Sequence, residues 1–187
     1  MTSPRKFAHV VYQTHRYDEM IDWYIKVFDA KVQNRTQQLA FITYDEEHHR
    51  MAFLNLGATQ GDAPKKPDGV GVHHVAYTWD NLGQLLETYE KLKTMGTLPS
   101  FAVRHGPTLS MYYRDPDGNS MEFQIDLLDV DAANEFMQSN AFALNPVGEE
   151  FDPEQLSKQY RAGADLTAMV LRSDQAAPKQ GLGAVLV

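Results

Sequence analysis

The fold of this chain is decided by residues 104–124, which read RHGPTLSMYYRDPDGNSMEFQ. The central residues, DPDGN at 115–119, predict a tight turn, because proline presets φ while glycine and asparagine tolerate the left-handed region. We therefore expect antiparallel strands at 109–114 and 120–126. Alternation along the second strand places Met121 and Phe123 on one face and Glu122 on the other. A carboxylate inside a strand faces either water or a cationic group. The role of Glu122 therefore depends on which groups lie beside it.

A repeat in the sequence supplies candidate partners. The segment VHHVAYTW at 72–79 aligns with FAHVVYQT at 7–14, which places His74 over His9 at an offset of 74 − 9 = 65. Both segments have the aromatic and β-branched content of strands, with His9 inside the first, at 6–13. Helical patterns follow each, and we expect Asp18 at the start of the first helix and Asp80 as the N-cap of the second.

The same order of strands and helix is predicted in both halves, and this repeat defines the domain organisation. Three further strands are predicted in each half, at 31–34, 38–44 and 50–56 and then at 100–104, 109–114 and 120–126. We predict an α+β fold in which two paired βαβββ modules form a curved mixed sheet around a metal site. The first module covers about 5–57, a Gly- and Pro-rich linker 58–69, and the second module about 70–128. Residues 129–187 form a C-terminal helical extension and tail, with helices at 130–138 and from about 152.

Composition narrows the class of function. The net charge of −8 argues against non-specific nucleic-acid binding. The absence of cysteine excludes disulfides, thiolate metal sites and a cysteine nucleophile, so any metal must be held by imidazole and carboxylate. The sequence has neither a membrane-spanning apolar run nor the apolar core of a signal peptide. We expect a cytoplasmic protein that acts on small molecules.

The candidate metal ligands are His9, His74 and Glu122. A single histidine in an apolar strand is more often a core residue than a ligand, and a strand glutamate is usually solvated. Here the three occupy corresponding places in repeated elements and are expected to converge on one concave face. Two imidazoles and one carboxylate can hold Fe(II) while leaving positions open to substrate and oxygen, although Zn, Ni and Mn accept the same donors.

Four segments carry a resemblance to a known family: FAHVVYQT, EEHHRMAFL, GVHHVAYTWD and RHG followed by MYYRDPDGNSMEFQ. From about residue 7 to 126 the chain resembles the type I extradiol catechol dioxygenases of the vicinal oxygen chelate superfamily, which includes the glyoxalases and bleomycin-resistance proteins. The resemblance implies that His9, His74 and Glu122 bind iron, with Mn(II) as the alternative. It also implies that a catechol-type diol, monocyclic or like 2,3-dihydroxybiphenyl, is cleaved with O2 in the breakdown of aromatic compounds.

The same resemblance assigns roles around the metal. Tyr112 and His105 are expected to bond the substrate oxygens, and His49 is expected to stabilise charge on the reacting dioxygen or to act as an acid. Strand alternation predicts that His48 and His73 point away from His49 and His74. It likewise predicts that Tyr113 faces away from Tyr112.

Two alternatives remain open. A glyoxalase-like metal lyase or isomerase would have a fourth ligand at the first-module position equivalent to Glu122, where this chain has Ala52. A metal-free binding protein that sequesters small molecules would not need the three ligands together. We further expect a homodimer or higher homo-oligomer, because small paired-repeat domains expose sheet edges. The extension at 129–187 is expected to close the active site or to form the interface.

Overall fold

The computed structural model describes residues 7–57, 72–175 and 182–186. The predicted linker at 58–69 lies outside these residues. These residues divide into two compact units, the first made of 7–57 with 115–119 and the second of 72–114 with 120–175 and 182–186.

The first unit has the predicted βαβββ order. Its elements are β1 Val10–Thr14, α1 Tyr17–Phe28, β2 Lys31–Arg35, β3 Leu39–Thr43 and β4 Met51–Asn55. The sheet order is β1-β4-β3-β2, with β1 parallel to β4 and the other pairs antiparallel. Residues Met20, Ile21 and Tyr24 of α1 are fully buried with Ile42 and Phe53 of the sheet, which accounts for the apolar stripe of the helix.

The second unit repeats this order. It contains β5 His74–Thr78, α2 Leu82–Thr94, β6 Phe101–Arg104, β7 Thr108–Arg114 and β8 Ser120–Asp126. With β9 Glu149–Glu150 from later in the chain, the sheet order is β5-β8-β7-β6-β9. The α+β class and the mixed sheets are confirmed. The predicted N-cap Asp80 is wrong: Asn81 caps α2, because its side chain accepts a hydrogen bond from the Gln84 amide at 2.9 Å. Asp18 lies in the first turn of α1, as expected.

Residues after 128 belong to the second unit. They form α3 Val130–Met137, α4 Asn140–Leu144, β9 Glu149–Glu150, α5 Pro153–Arg161, α6 Thr167–Val170 and α7 Gly183–Leu186. Strand β9 pairs with β6 and so extends the sheet. Helix α5 lies on α2, where Lys93 bonds Glu154 at 2.6 Å and Arg161 bonds Glu90 through Nε and Nη2 at 3.0 and 2.7 Å.

The predicted turn at 115–119 is confirmed. The Gly118 amide bonds the Asp115 carbonyl at 2.8 Å, and Gly118 adopts φ 80°, which a glycine accepts without strain. The buried Asp115 carboxylate accepts hydrogen bonds from the Asn119 amide and side chain, both at 2.8 Å, and from the Tyr24 hydroxyl at 3.2 Å. Within the described part of the chain, no helix combines the length and apolar character needed to cross a membrane.

Candidate active site

Glu122 is a buried carboxylate in the middle of β8. Its neighbours in the sheet are Ala76 on β5 and Tyr112 on β7. Because side chains alternate along β8, Met121 and Phe123 enter the core while Glu122 takes the opposite face with 6% of its surface exposed. Its Oε2 lies 3.0 Å from His74 Nε2, so the carboxylate faces an imidazole rather than bulk water.

Tyr112 and His105 complete this cluster in the second unit. The Tyr112 hydroxyl lies 2.9 Å from His105 Nε2, and the same nitrogen lies 3.6 Å from Glu122 Oε1. Burial raises the pKa of Tyr112 above its ordinary value, and the hydrogen bond to Glu122 and the charge of that carboxylate raise it further. Tyr112 therefore stays protonated at neutral pH and can donate a hydrogen bond.

Tyr113 lies in a different environment from Tyr112. It is 1% exposed and packs on Phe123 with ring centroids 4.9 Å apart. The two tyrosines thus face opposite sides of β7, as strand alternation predicts.

The ring of His105 is held from its other side by the C-terminal extension. His105 Nδ1 lies 2.5 Å from the carbonyl oxygen of Val147. A carbonyl can only accept, so Nδ1 carries a proton, and in the neutral form of the ring Nε2 is the acceptor that faces Tyr112. Val147 is a contact of this candidate site residue that sequence reasoning missed, because no local pattern links positions 42 residues apart.

His9 and His49 lie together in the first unit. Their ring centroids are 4.3 Å apart, and His49 also meets the edge of Phe41 at 4.9 Å. Burial lowers the pKa of His49, and the neighbouring charges of His9 and His48 lower it further. His49 is therefore predominantly neutral at neutral pH.

The segment before β1 is anchored by Arg50, another residue that sequence reasoning missed. Its Nη1 donates to the carbonyls of Phe7 and Ala8 at 2.8 and 2.9 Å, and its Nε bonds Asp45 at 2.8 Å. The strand predicted around His9 begins only at Val10, whose amide bonds the Arg50 carbonyl at 3.0 Å. His9 is thus held just ahead of β1 by the Arg50 contacts to the residues before it.

The prediction that His48 and His73 point away from their neighbours is wrong. His48 Nδ1 lies 2.5 Å from His49 Nδ1, and His73 Nδ1 lies 2.8 Å from His74 Nδ1. Alternation applies only inside a strand, whereas His48, His49 and His73 precede β4 and β5.

The predicted metal ligands are divided between the units. His74 and Glu122 meet in the second, and His9 belongs to the first. Among the described residues, no group of three or more His, Cys, Asp or Glu side chains is arranged to hold a metal ion, so the three-ligand set stays a prediction. The donors themselves fit a metal of the iron type, because a buried carboxylate beside imidazole nitrogens offers the mixed oxygen and nitrogen ligands that such ions accept.

The sheet registers also define the position equivalent to Glu122 in the first module. Strand β5 pairs Ala76 with Glu122, and β1 pairs Val11 with Ala52. Under the offset that places His74 over His9, Ala76 corresponds to Val11, so Ala52 stands where the second module has its glutamate. The first module therefore offers no carboxylate at this place.

One family model matches most of the chain. The profile of the Glyoxalase/Bleomycin resistance protein/Dioxygenase superfamily matches residues 6–123. The chain belongs to this superfamily.

Two curated relatives of this chain are named as dioxygenases. The chain is 48% identical over 164 residues, 87% of this chain and 85% of the relative, to biphenyl-2,3-diol 1,2-dioxygenase 2 of Rhodococcus globerulus. It is 37% identical, over 92% of this chain and 91% of the relative, to biphenyl-2,3-diol 1,2-dioxygenase 3 of the same organism. Among solved structures, lactoylglutathione lyase from Agrobacterium tumefaciens superposes with a TM-score of 0.54 at 18% identity, over 66% of this chain and 96% of that chain. This likeness concerns the fold alone.

Proposed function

We propose that this superfamily member is an extradiol dioxygenase that cleaves a catechol-type aromatic diol with O2, using Fe(II) held by His9, His74 and Glu122. The observation that carries the proposal is the contact of Tyr112 with His105 beside the buried Glu122. A hydroxyl donor and an imidazole acceptor at a metal-ligand carboxylate suit a substrate that binds through two oxygens and must lose a proton. The 48% identity to a protein named as a biphenyl-2,3-diol dioxygenase supports the same reaction.

The bound metal would acidify the diol and bring it together with dioxygen. With its proton on Nδ1, the neutral form of the His105 ring would offer Nε2 to take up a diol proton directly or through Tyr112. Tyr112, protonated because its pKa is raised, would serve that relay: its oxygen accepts the diol proton while its own proton passes to His105 Nε2. We assign to His49 the hydrogen bond that steadies charge on the reacting dioxygen, since a neutral imidazole still carries one N–H donor.

The glyoxalase-like alternative has weaker support. A fourth protein ligand from the first module would have to come from the position of Ala52, which is buried and carries no donor atom. A metal held by three protein ligands has more free coordination positions for a two-oxygen substrate and dioxygen than one held by four.

The test is anaerobic reconstitution with Fe(II), and with Mn(II) in parallel, followed by a catechol panel that includes 2,3-dihydroxybiphenyl and then by air. We expect a yellow ring-cleavage product, one O2 consumed per diol, and about one metal per chain. Glu122→Ala, His74→Ala and His9→Ala should each lose the metal. No yellow product and no oxygen uptake across the panel from metal-loaded protein would reject the dioxygenase reaction. Failure to retain metal at all would favour the metal-free binding protein.

We also propose that the protein forms a homodimer or higher homo-oligomer in the cytoplasm. Several large apolar side chains on and beside the helices of the extension are exposed, which supports an interface there: Val130, Met137, Leu144 and Val147. Light scattering coupled to size exclusion checks the oligomeric state, and a monomer at micromolar concentration would contradict it.

A further inference from the structure

Arg172 is a fully buried cation in the C-terminal extension. Its side chain is 0% exposed, while its partner Asp174 keeps 39% of its side-chain surface in solvent. A buried charge is costly unless it is paired and all of its hydrogen-bond donors are used. The contacts of Arg172 therefore indicate why the chain keeps a charge at this place.

All five N–H groups of a guanidinium have an acceptor here. Arg172 Nε and Nη2 bond the Asp174 carboxylate at 2.9 and 2.6 Å. Nη1 donates to the carbonyls of His105 at 3.2 Å and Asn145 at 2.8 Å, and Nη2 also donates to the carbonyl of Ala141 at 3.4 Å. The guanidinium lies 5.3 Å from the centroid of the Phe136 ring.

These contacts join the two segments that fix His105. One is the turn between β6 and β7, where Arg172 holds the His105 carbonyl and Gln175 Nε2 bonds the Gly106 carbonyl at 3.0 Å. The other is the loop after α4, where Arg172 holds the Asn145 carbonyl. The Asn145 side chain bonds both the amide and the carbonyl of Gly148 at 2.9 Å, which fixes the peptide next to Val147.

Two glycines at this junction have no room for a Cβ atom. A Cβ on Gly148 would lie 2.2 Å from the Arg104 carbonyl oxygen, and one on Gly106 would lie 2.2 Å from a carbon of the Phe136 ring. At Gly148 the two backbones therefore meet without room for a side chain, and at Gly106 the Phe136 ring fills the space. The His105 ring, whose Nδ1 meets the Val147 carbonyl, is fixed by both segments at once.

We propose that Arg172 is a positioning residue for His105: it ties the His105 backbone to the loop that carries the Val147 carbonyl, and so keeps the His105 proton on Nδ1 and Nε2 aimed at Tyr112. Its consequence for turnover rests on the proposed dioxygenase function, whereas its effect on the tautomer of His105 does not. Outer contacts that orient an active imidazole commonly change activity by about 10–100-fold when removed.

The first readout is the tautomer of His105 in the metal-free, full-length protein labelled with 15N-histidine. At about pH 8.5, well above the ordinary imidazole pKa of about 6.5, the wild type should show one Nδ1–H tautomer, assigned by its loss in His105→Gln. Arg172→Gln should give an averaged signal from both tautomers. Gln175→Ala, which leaves the buried charge in place, should move the signal in the same direction and covers the case in which Arg172→Gln does not fold.

The second readout is turnover of 2,3-dihydroxybiphenyl by the iron-loaded protein. Arg172→Gln should lower kcat about 10–100-fold and change KM less than about threefold. The matched control is Arg161→Gln, which breaks another arginine–carboxylate pair of the same extension away from His105 and should leave both readouts unchanged. An unchanged His105 tautomer in both Arg172→Gln and Gln175→Ala would overturn the proposal. A shifted tautomer with no ring cleavage by the wild type would reject the dioxygenase reaction and keep the role of Arg172.

Discussion

Tyr112 and Tyr113 allow a test at the level of a single hydroxyl. Tyr112→Phe removes the donor 2.9 Å from His105 Nε2 and should lower kcat about 10²–10⁴-fold while the metal is retained, as expected for loss of a positioned acid–base group. Tyr113→Phe removes only a long contact from its hydroxyl to Met111 Sδ at 3.8 Å and serves as the control. Steady-state oxygen uptake measures kcat, and metal analysis measures how much metal is retained. A fully active Tyr112→Phe would show that the hydroxyl has no part in the reaction.

His49 gives the second prediction at this scale. His49→Gln keeps a hydrogen-bonding side chain but removes the imidazole beside His9, so it should retain the metal and lose about 10²-fold or more in kcat. His48→Gln changes an exposed neighbour, with 71% of its side chain in solvent, and leaves the His49 imidazole in place, so its loss in kcat should be smaller than that of His49→Gln. Equal losses in the two variants would remove the special role of His49.

Residue-level prediction from the sequence succeeded where a strand period applies and failed where it does not. Tyr112, Tyr113 and Glu122 lie inside β7 and β8, so alternation fixes their faces. His48 and His73 precede strands, where the chain is free to place neighbouring rings in contact.

At the scale of elements, the turn between β7 and β8 depends on one buried carboxylate. Asp115→Ala removes the acceptor of three hydrogen bonds, from the Asn119 amide, the Asn119 side chain and the Tyr24 hydroxyl. We expect a loss of about 2–4 kcal/mol in the free energy of unfolding, because buried donors lose their partner. Asp117→Ala, in the same turn but partly exposed, should change it by less than about 0.5 kcal/mol. Urea unfolding measures both, and similar losses would contradict the assignment.

The contact of α5 with α2 should depend on pH through Glu154. Hydrogen bonds from Lys93, Tyr89 and Lys158 lower the pKa of this carboxyl from 4.5 to about 2. A lowered folded-state pKa gives stability that is complete above the unfolded value and is lost as pH falls through the folded value. Glu154→Gln should therefore lower the melting temperature at pH 6, and the difference from wild type should shrink between about pH 4.5 and 2. A difference in melting temperature that stays constant over this range would show that the charge of Glu154 does not contribute to stability.

The element boundaries show which features are local. Helices α2, α3 and α5 and strand β8 follow from apolar spacing and turn residues, and they were predicted to within a few residues. Strand β9 has two residues and exists because Glu149 and Glu150 meet the edge of β6. A strand this short shows no alternation in the sequence. No sequence pattern predicts the contact of Arg172 with the His105 carbonyl either.

At the scale of the whole molecule, the described residues of 129–187 contribute to the core of the second unit. Burying one leucine or valine side chain contributes about 1.5–3 kcal/mol, and the described part of the extension buries five: Leu156, Leu166, Val170, Leu171 and Leu182. Their sum is about 8–15 kcal/mol before the conformational entropy of ordering the segment is subtracted. Deleting 129–187 is therefore expected to unfold the second unit, which carries His74, Glu122 and Tyr112.

A point variant tests the same idea in the intact chain. Leu156 on α5 is 0% exposed, so Leu156→Ala should cost about 2–5 kcal/mol through lost burial and a cavity. Leu144, on α4 of the same extension, is 87% exposed, and Leu144→Ala should cost less than about 0.5 kcal/mol. If the extension and the βαβββ module of the second unit fold as one, Leu156→Ala should speed amide exchange in β6, β7 and β8 together with α5. Faster exchange confined to α5 would mean that the extension unfolds by itself, and the site on β7 and β8 would then not depend on it.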